Sequence, residues 1–246
     1  MRIAMTTDTK KIIIKEKLLS RLQKNNIALF LAILFHACGA IGIIYTPYKE
    51  WFIHNTSVNL LLMTALLILT QKEKNIAFFF FLVLCYATGM LTEMIGVNTG
   101  YLFGKYEYGT VLGPKLYGVP WLIGINWFIV VFCSGNIVFR LNEWLYKKLA
   151  TGMLPSHIVQ LFSFVIDAAL LTTLFDYMLE PSAVQFGFWK WLPDDSIPVY
   201  NFGCWFVISA ALLTVFRLLR FDKHNQFAIH LFIIQILFFL VLQTFL

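Results

Sequence analysis

The sequence predicts an all-α, polytopic membrane protein with about seven transmembrane helices and a re-entrant or lid-like outer segment between the third and fourth helices. Charged residues make up only 13% of the 246-residue chain, against about 25% in a soluble domain. The mean hydropathy is +0.75. Long apolar runs are separated by short polar segments, and a helix needs about 20 mainly apolar residues to cross a bilayer.

Seven runs meet that length: 27–45, 51–70, 76–95, 119–139, 157–179, 201–219 and 227–246. The second run is the weakest, because His54, Asn55 and Asn59 interrupt its apolar pattern. We expect a single transmembrane domain over residues 27–246, with no soluble domain appended to it.

The positions of the basic residues predict the orientation of the chain. If the N-terminus is inside, fifteen of the nineteen lysines and arginines fall in inner segments, and Lys49, Lys105, Lys115 and Lys190 fall in outer ones. Basic residues favour the cytoplasmic side of a membrane. The pattern predicts a bacterial inner-membrane protein with its N-terminus inside and its C-terminus outside. The net charge of +6 then reflects topology, and no nucleic-acid partner is expected.

Residues 1–26 form a basic segment with apolar positions at helical spacing, among them Ile14, Leu18 and Leu22. The segment is too basic and too weakly apolar for a cleaved signal peptide. We expect an amphipathic helix on the inner membrane surface.

Several classes of membrane enzyme lack their signature in this chain. The five histidines are scattered and the four cysteines are isolated, so neither a di-iron site nor a zinc site is expected. There is no aspartate-rich diphosphate motif and no phosphate-binding glycine loop. The seventh run contains no lysine for a retinal Schiff base. We therefore expect no metal and no cofactor.

The polar residues of the apolar runs gather near one side. Glu93, Asp176, Asn126 and Asn201 lie close to the outer ends of four different runs, and Glu180 follows Asp176 by one helical turn. Paired acids on one helix face are unfavourable without a cation. That pairing favours a functional role, although headgroup water explains Glu93 alone equally well.

Other polar residues have simpler interpretations. Asp167 lies near the middle of the fifth run, and we expect it to be functional or, preferably, hydrogen-bonded within the bundle. Asp194 and Asp195 are predicted to form a solvated turn. His36 and His230 are predicted to be packing groups.

Residues 93–121 read EMIGVNTGYLFGKYEYGTVLGPKLYGVPW and hold six of the fourteen glycines. The four-residue spacing of Gly96, Gly100 and Gly104 is compatible with a close-packing helix face. However, the tyrosines and prolines that follow break any long helix. Irregular backbone at membrane depth requires protein around it or a cavity beside it, so the segment is predicted to cover a cavity.

The segment also resembles a known family. E-x-x-G-V-x-T-G-x-x-F-G-x-Y-x-Y starts at Glu93, L-G-P-x-L-x-G-V-P starts at Leu112, and Asn126-Trp127 follows. A second block contains D-Y-M-L-E-P, G-F-W-K-W and I-P-V-Y-N-F-G-C-W between residues 176 and 205. Both blocks resemble the carotenoid biosynthesis membrane family that includes the CruF-type carotenoid 1′,2′-hydratases. In that family the acid before the proline is usually Asp, where this chain has Glu180.

The resemblance implies a cofactor-independent hydratase (a hydro-lyase) that adds water to the terminal double bond of an acyclic (ψ) carotene end group. An acid protonates the alkene, a tertiary cation forms, and water captures it. The implied substrates are lycopene or γ-carotene, taken from the bilayer. The implied catalytic acids are Glu93, Asp176 and Glu180, with Asp176 or Glu93 as the proton donor. Residues expected to contact substrate or water are Asn98, Tyr101, Lys105, Tyr106, Asn126, Trp127, Trp189, Trp191, Tyr200 and Asn201.

Two other functions fit the residues. A related isoprenoid cyclase would use the same buried acid and aromatic walls, but its product would have the mass of its substrate. A carotenoid-binding or transport bundle predicts acids along a continuous path across the membrane. The gathering of acids on one side favours a one-sided pocket.

Overall fold

A computed structural model describes residues 7–149, 154–194 and 196–245. Their helices are α1 (Thr7–Tyr45), α2 (Lys49–His54), α3 (Thr56–Thr70), α4 (Ile76–Thr99), α5 (Leu122–Lys148), α6 (His157–Gln185), α7 (Val199–Leu218) and α8 (Gln226–Phe245). Within these residues, seven spans are long and apolar enough to cross a membrane, with α2 and α3 forming one of them. The predicted all-α membrane fold with seven transmembrane helices is confirmed.

The helix α1 begins at Thr7 and runs without interruption into the first span. Residues 1–6 lie outside the described part, and the inner-surface role of residues 1–26 stays a prediction.

The helix α5 is the centre of the bundle. In its most apolar stretch 72% of the residues are buried, against 22–39% for the other spans. Close contacts need small residues here: a Cβ at Gly124 would lie 2.7 Å from the Tyr86 ring, and one at Gly89 would lie 2.5 Å from Trp127. These glycines therefore set the close approach of α4 and α5.

The second span is interrupted at Asn55, between α2 and α3. The backbone hydrogen bonds nevertheless continue, from Asn55 N to Trp51 O and from Asn59 N to Asn55 O, both at 3.1 Å. The polar residues that weakened the second apolar run therefore mark an irregularity within one crossing.

Two loops meet at one end of the bundle, which we call the ribbon end. In the loop between α4 and α5, β1 (Tyr106–Tyr108) pairs with β4 (Trp189–Trp191) of the loop between α6 and α7. The strands β2 (Lys115–Leu116) and β3 (Val119–Pro120) form a second antiparallel pair. The alternation of Y-E-Y and W-K-W turns four rings inward and leaves Glu107 and Lys190 exposed as an ion pair at 2.7 Å.

Several predicted span boundaries are wrong. The third span runs on to Thr99, and α4 ends there because Gly100 adopts φ +70°. The spacing of Gly96, Gly100 and Gly104 is therefore not a helix face. The fifth span was predicted to end at residue 179, but α6 continues past Pro181 to Gln185 and carries Glu180 inside the helix.

A cluster of neutral polar side chains holds the opposite end together. This amide cluster consists of Thr70, Gln71, Asn136 and Asn225, all buried. Asn225 donates to Leu67 O and Gln71 Oε1 at 3.2 and 3.1 Å. Its Oδ1 accepts from Ala228 N, in the first turn of α8, at 3.1 Å. The cluster ties the loop after α3 to the loop before α8.

Candidate active site

Glu93 projects from α4 and is buried, with 4% of its surface exposed. The Tyr106 and Tyr108 hydroxyls of β1 donate to its Oε2, the second at 2.8 Å. The Trp127 indole N–H of α5 donates to Oε1 at 3.1 Å. Both carboxyl oxygens of Glu93 are therefore held by neutral donors.

Asp176 and Glu180 lie one turn apart on α6 and are equally buried. The Asn201 side-chain amide of α7 donates to Asp176 Oδ2 at 2.8 Å and to Glu180 Oε1 at 3.3 Å. The Trp189 and Trp191 indoles of β4 both donate to Glu180 Oε2 at 3.0 Å. Glu93, Asp176 and Glu180 together form the acid cluster.

The acid cluster surrounds a cavity of about 20 Å³, which we call the acid cavity. A space of that size holds about one water molecule. Its walls are mostly aromatic: the Trp127 and Trp205 rings stack at 3.8 Å, and the Tyr106 and Trp191 rings lie 5.1 Å apart. None of the described residues that line it is a lysine or an arginine.

Burial, together with the nearby charge of Glu93, raises the pKa of Tyr106 and of Tyr108 above that of a free phenol. Both side chains therefore stay neutral and keep donating to Glu93.

In the described part, no three His, Cys, Asp or Glu side chains are grouped to hold a metal ion. The donor set of the acid cluster consists of phenols, indoles and an amide.

The structure brings most of the predicted site residues together. The acid cavity is lined by Glu93, Asp176, Glu180, Tyr106, Asn126, Trp127, Trp189, Trp191 and Asn201. The loop between α4 and α5 contributes Phe103 as well as its two tyrosines, so this segment lines the cavity, and its role as a cover stays a prediction.

Four predicted contacts lie outside the cavity. Asn98 is exposed and donates to Tyr117 O at 2.9 Å. The Tyr200 hydroxyl donates to the Tyr101 carbonyl at 3.0 Å, with both rings at the surface. Lys105 is exposed, and its carbonyl accepts from Leu192 N at 2.9 Å. Through these side-chain and backbone hydrogen bonds the four residues connect the loops of the ribbon end.

Sequence reasoning missed five residues that line the acid cavity, and two of them, Tyr108 and Trp205, carry a hydrogen-bond donor. The alternation of Y-E-Y puts Tyr108 on the same strand face as Tyr106. Trp205 follows Asn201 by four positions, which places both on one face of α7. Both spacings could have predicted these two residues from the sequence.

Asp167 lies on the exposed face of α6, where it accepts from Ser163 Oγ at 3.1 Å. The expected hydrogen bond is present, but it joins neighbours on one helix at the surface of the bundle. Asp194 is exposed and accepts from Ser196, as expected for a solvated turn. Asp195 lies outside the described residues.

Comparison with known proteins identifies the family. The family described as carotenoid biosynthesis protein matches residues 54–246. The bisanhydrobacterioruberin hydratase of Haloarcula japonica is 31% identical over 128 residues, which cover 50% of this chain and only 39% of that protein. No solved structure matches the chain. Because the family match spans well over half of the chain and includes the whole acid cluster, the protein belongs to the carotenoid biosynthesis protein family.

Proposed function

We propose that the protein is a cofactor-independent carotenoid 1′,2′-hydratase that adds water to the ψ end group of lycopene or γ-carotene. The observation that carries this proposal is the acid cluster, in which three buried carboxyl groups face a water-sized cavity with aromatic walls. Burying a carboxylate without a cation is costly. The similarity to a protein named as a hydratase supports the same reaction.

Asp176 is the proton donor in this proposal. Glu93 and Glu180 accept hydrogen bonds on both carboxyl oxygens. In the described part, Asp176 Oδ1 accepts none, while its Oδ2 is held by Asn201. A proton on Oδ1 thus displaces no existing donor, and Asp176 lines the cavity where the alkene would lie.

The reaction balances without a cofactor. The Asp176 proton passes to the less substituted carbon of the terminal double bond, whose π electrons form the new C–H bond and leave a tertiary cation. A water oxygen then bonds to the cationic carbon and releases one proton to the acid cluster, which restores its proton count. The product is the tertiary alcohol.

The walls of the cavity suit the cation and the water. A cation over a tryptophan face gains about 0.5–2 kcal/mol, and four tryptophans line the cavity. Asn126 and Asn201 also line it and offer amide groups that bind water. Glu180 acts as a positioning residue, because it orients Asn201 and the two indoles of β4.

In this proposal the protein lies in a bacterial inner membrane, with its N-terminus inside and the ribbon end outside. The bias of fifteen inner basic residues out of nineteen supports this orientation. The carotenoid then comes from the bilayer, and water reaches the acid cavity from the outer side.

The test is expression in a host that makes lycopene or γ-carotene, followed by mass analysis of the pigments. We expect a product heavier by one water, and a loss of about 10²–10⁴-fold in its rate of formation for Asp176→Asn. We also expect a large loss for Glu93→Gln. The matched control is Asp194→Asn, an exposed acid that should leave the rate unchanged. Undiminished hydrated product from both cluster variants would contradict the assignment of these acids to catalysis. A new product of unchanged mass would indicate a cyclase instead.

A further inference from the structure

A second, larger cavity of about 390 Å³ adjoins the acid cavity. We call it the lateral chamber. It lies between α1, the α2–α3 crossing and α8, with α5 and α6 behind it. Its volume falls in the usual range of small-molecule sites, about 300–1,000 Å³, and none of the proposed catalytic acids lines it.

The two cavities share part of their lining. Ile123, Asn126, Leu179 and Trp189 line both of them. Asn126 lies about one turn into α5 from the ribbon end. Gln235, which also lines the chamber, lies ten residues from the end of α8, or about 15 Å along the helix axis. The chamber therefore extends from beside the acid cluster towards the middle of the bundle.

The chamber opens on the outward-facing surfaces of the membrane-spanning helices. Phe35 of α1 and Trp51 and Val58 of the second crossing line it and are also 42%, 61% and 55% exposed. Exposed apolar side chains on transmembrane helices face lipid. The chamber lining in the described part includes no Asp, Glu, Lys or Arg. Such an opening admits an apolar molecule from the bilayer.

We propose that the lateral chamber binds the apolar isoprenoid chain of the carotenoid, which enters sideways between α1 and the second crossing. The position of the reacting end of the carotenoid is taken from the proposed function, on which this proposal rests. That end lies beyond Asn126, in the acid cavity. The polyene next to that end fills the chamber, and the remainder stays in the membrane.

Gly39 is a position at which a larger side chain would occupy part of the chamber. A Cβ at this position would lie 3.6 Å from the Phe238 ring, an ordinary contact, and Gly39 lines the chamber. The matched control is Gly203→Leu on the exposed face of α7, where a Cβ meets nothing within 4 Å.

The readout is the visible circular dichroism that achiral lycopene acquires when it binds the purified Asp176→Asn protein, in which turnover is slow. We expect saturable binding by the Asp176→Asn protein and by its Gly203→Leu derivative, and at least tenfold weaker binding by its Gly39→Leu derivative. Equal binding by the Gly39→Leu and Gly203→Leu derivatives would overturn the proposal. If lycopene binds in this way but the wild-type protein forms no hydrated product, then the proposed function fails and the chamber assignment stands.

A second measurement avoids substitution of the chamber lining. Cys38 lines the chamber and is exposed, whereas Cys85, Cys133 and Cys204 are buried. We expect saturating lycopene to slow the reaction of the folded protein with N-ethylmaleimide severalfold, and Cys38→Ser to abolish that reaction. An unchanged rate at saturating lycopene would contradict the proposal.

Discussion

The protein buries polar side chains at both ends of its bundle, and the two clusters differ in kind. The amide cluster is neutral, and its members satisfy one another and the backbone of two loops. The acid cluster places three carboxyl groups around a cavity and supports them with indoles, phenols and one amide. The first cluster needs no explanation beyond folding. The second costs free energy that the fold alone does not require, which indicates a chemical use.

The largest expected change in stability is at the amide cluster. Asn225→Ala removes the cap of α8, worth about 0.5–2 kcal/mol, and leaves Gln71 Oε1 without its buried donor, at about 1–3 kcal/mol. We expect a loss of about 2–4 kcal/mol in the free energy of unfolding, measured by denaturant titration in detergent. The proposed hydration activity, measured per folded molecule, should stay unchanged.

The control is Asn26→Ala, an exposed amide of α1 that should change the free energy of unfolding by less than about 0.5 kcal/mol. If Asn225→Ala abolishes activity in molecules that remain folded, then the two clusters are coupled and the contrast between them fails.

A smaller effect separates two members of the acid cluster. Glu180→Gln places an NH₂ group among the donors Trp189, Trp191 and Asn201, so one buried donor loses its acceptor at about 1–3 kcal/mol. Asp176→Asn keeps an oxygen for Asn201 and directs its NH₂ to the unbonded position of Oδ1. We expect Glu180→Gln to lower the midpoint of thermal unfolding and Asp176→Asn to leave it nearly unchanged. Equal shifts would contradict the different hydrogen-bonding roles of these two residues.

The smallest predicted effect is a pH dependence at the opposite end. Burial, together with the nearby Arg217 charge, lowers the pKa of Lys223 to about 8. Between about pH 8 and the ordinary lysine value of about 10.4, the unfolded chain holds a proton that the folded protein has released. Stability should therefore rise with pH in that interval, by on the order of 1 kcal/mol. Lys223→Met should remove this rise when unfolding is compared at about pH 7 and pH 10, and an identical rise in the variant would contradict the assignment.

The sequence was a good guide to the crossings and a poorer guide to their ends. The length requirement of the bilayer is severe, so all seven spans were predictable. No comparable constraint fixes a helix end, and α6 continues past Pro181 because the bundle around a transmembrane helix tolerates an interior proline. This continuation keeps Glu180 on the same helix as Asp176.

The same contrast applies to individual side chains of the site. Glu93, Asp176 and Asn201 were predictable, because a buried polar residue stands out in an apolar run. Tyr200 was predicted to contact the substrate, but it precedes Asn201 by one residue and points about 100° away around α7. Lys105 precedes Tyr106 on an extended segment and therefore faces the other side. The pairing of β1 with β4 joins three-residue strands more than eighty residues apart, and short strands of that kind have no strong sequence signal.

The donors of the acid cluster are divided along the chain in a way that bears on membrane insertion. Among the described residues, every donor to Glu93 comes from residues 106–127, the loop and helix that follow it directly. In the same part of the chain, every donor to Asp176 and Glu180 comes from residues 189–201, in the loop and helix that follow α6. The pairs α4–α5 and α6–α7 are thus two helical hairpins, each of which brings its own hydrogen-bond donors for the acids it carries. If the chain enters the bilayer hairpin by hairpin, each of these carboxyl groups enters together with its hydrogen-bond donors.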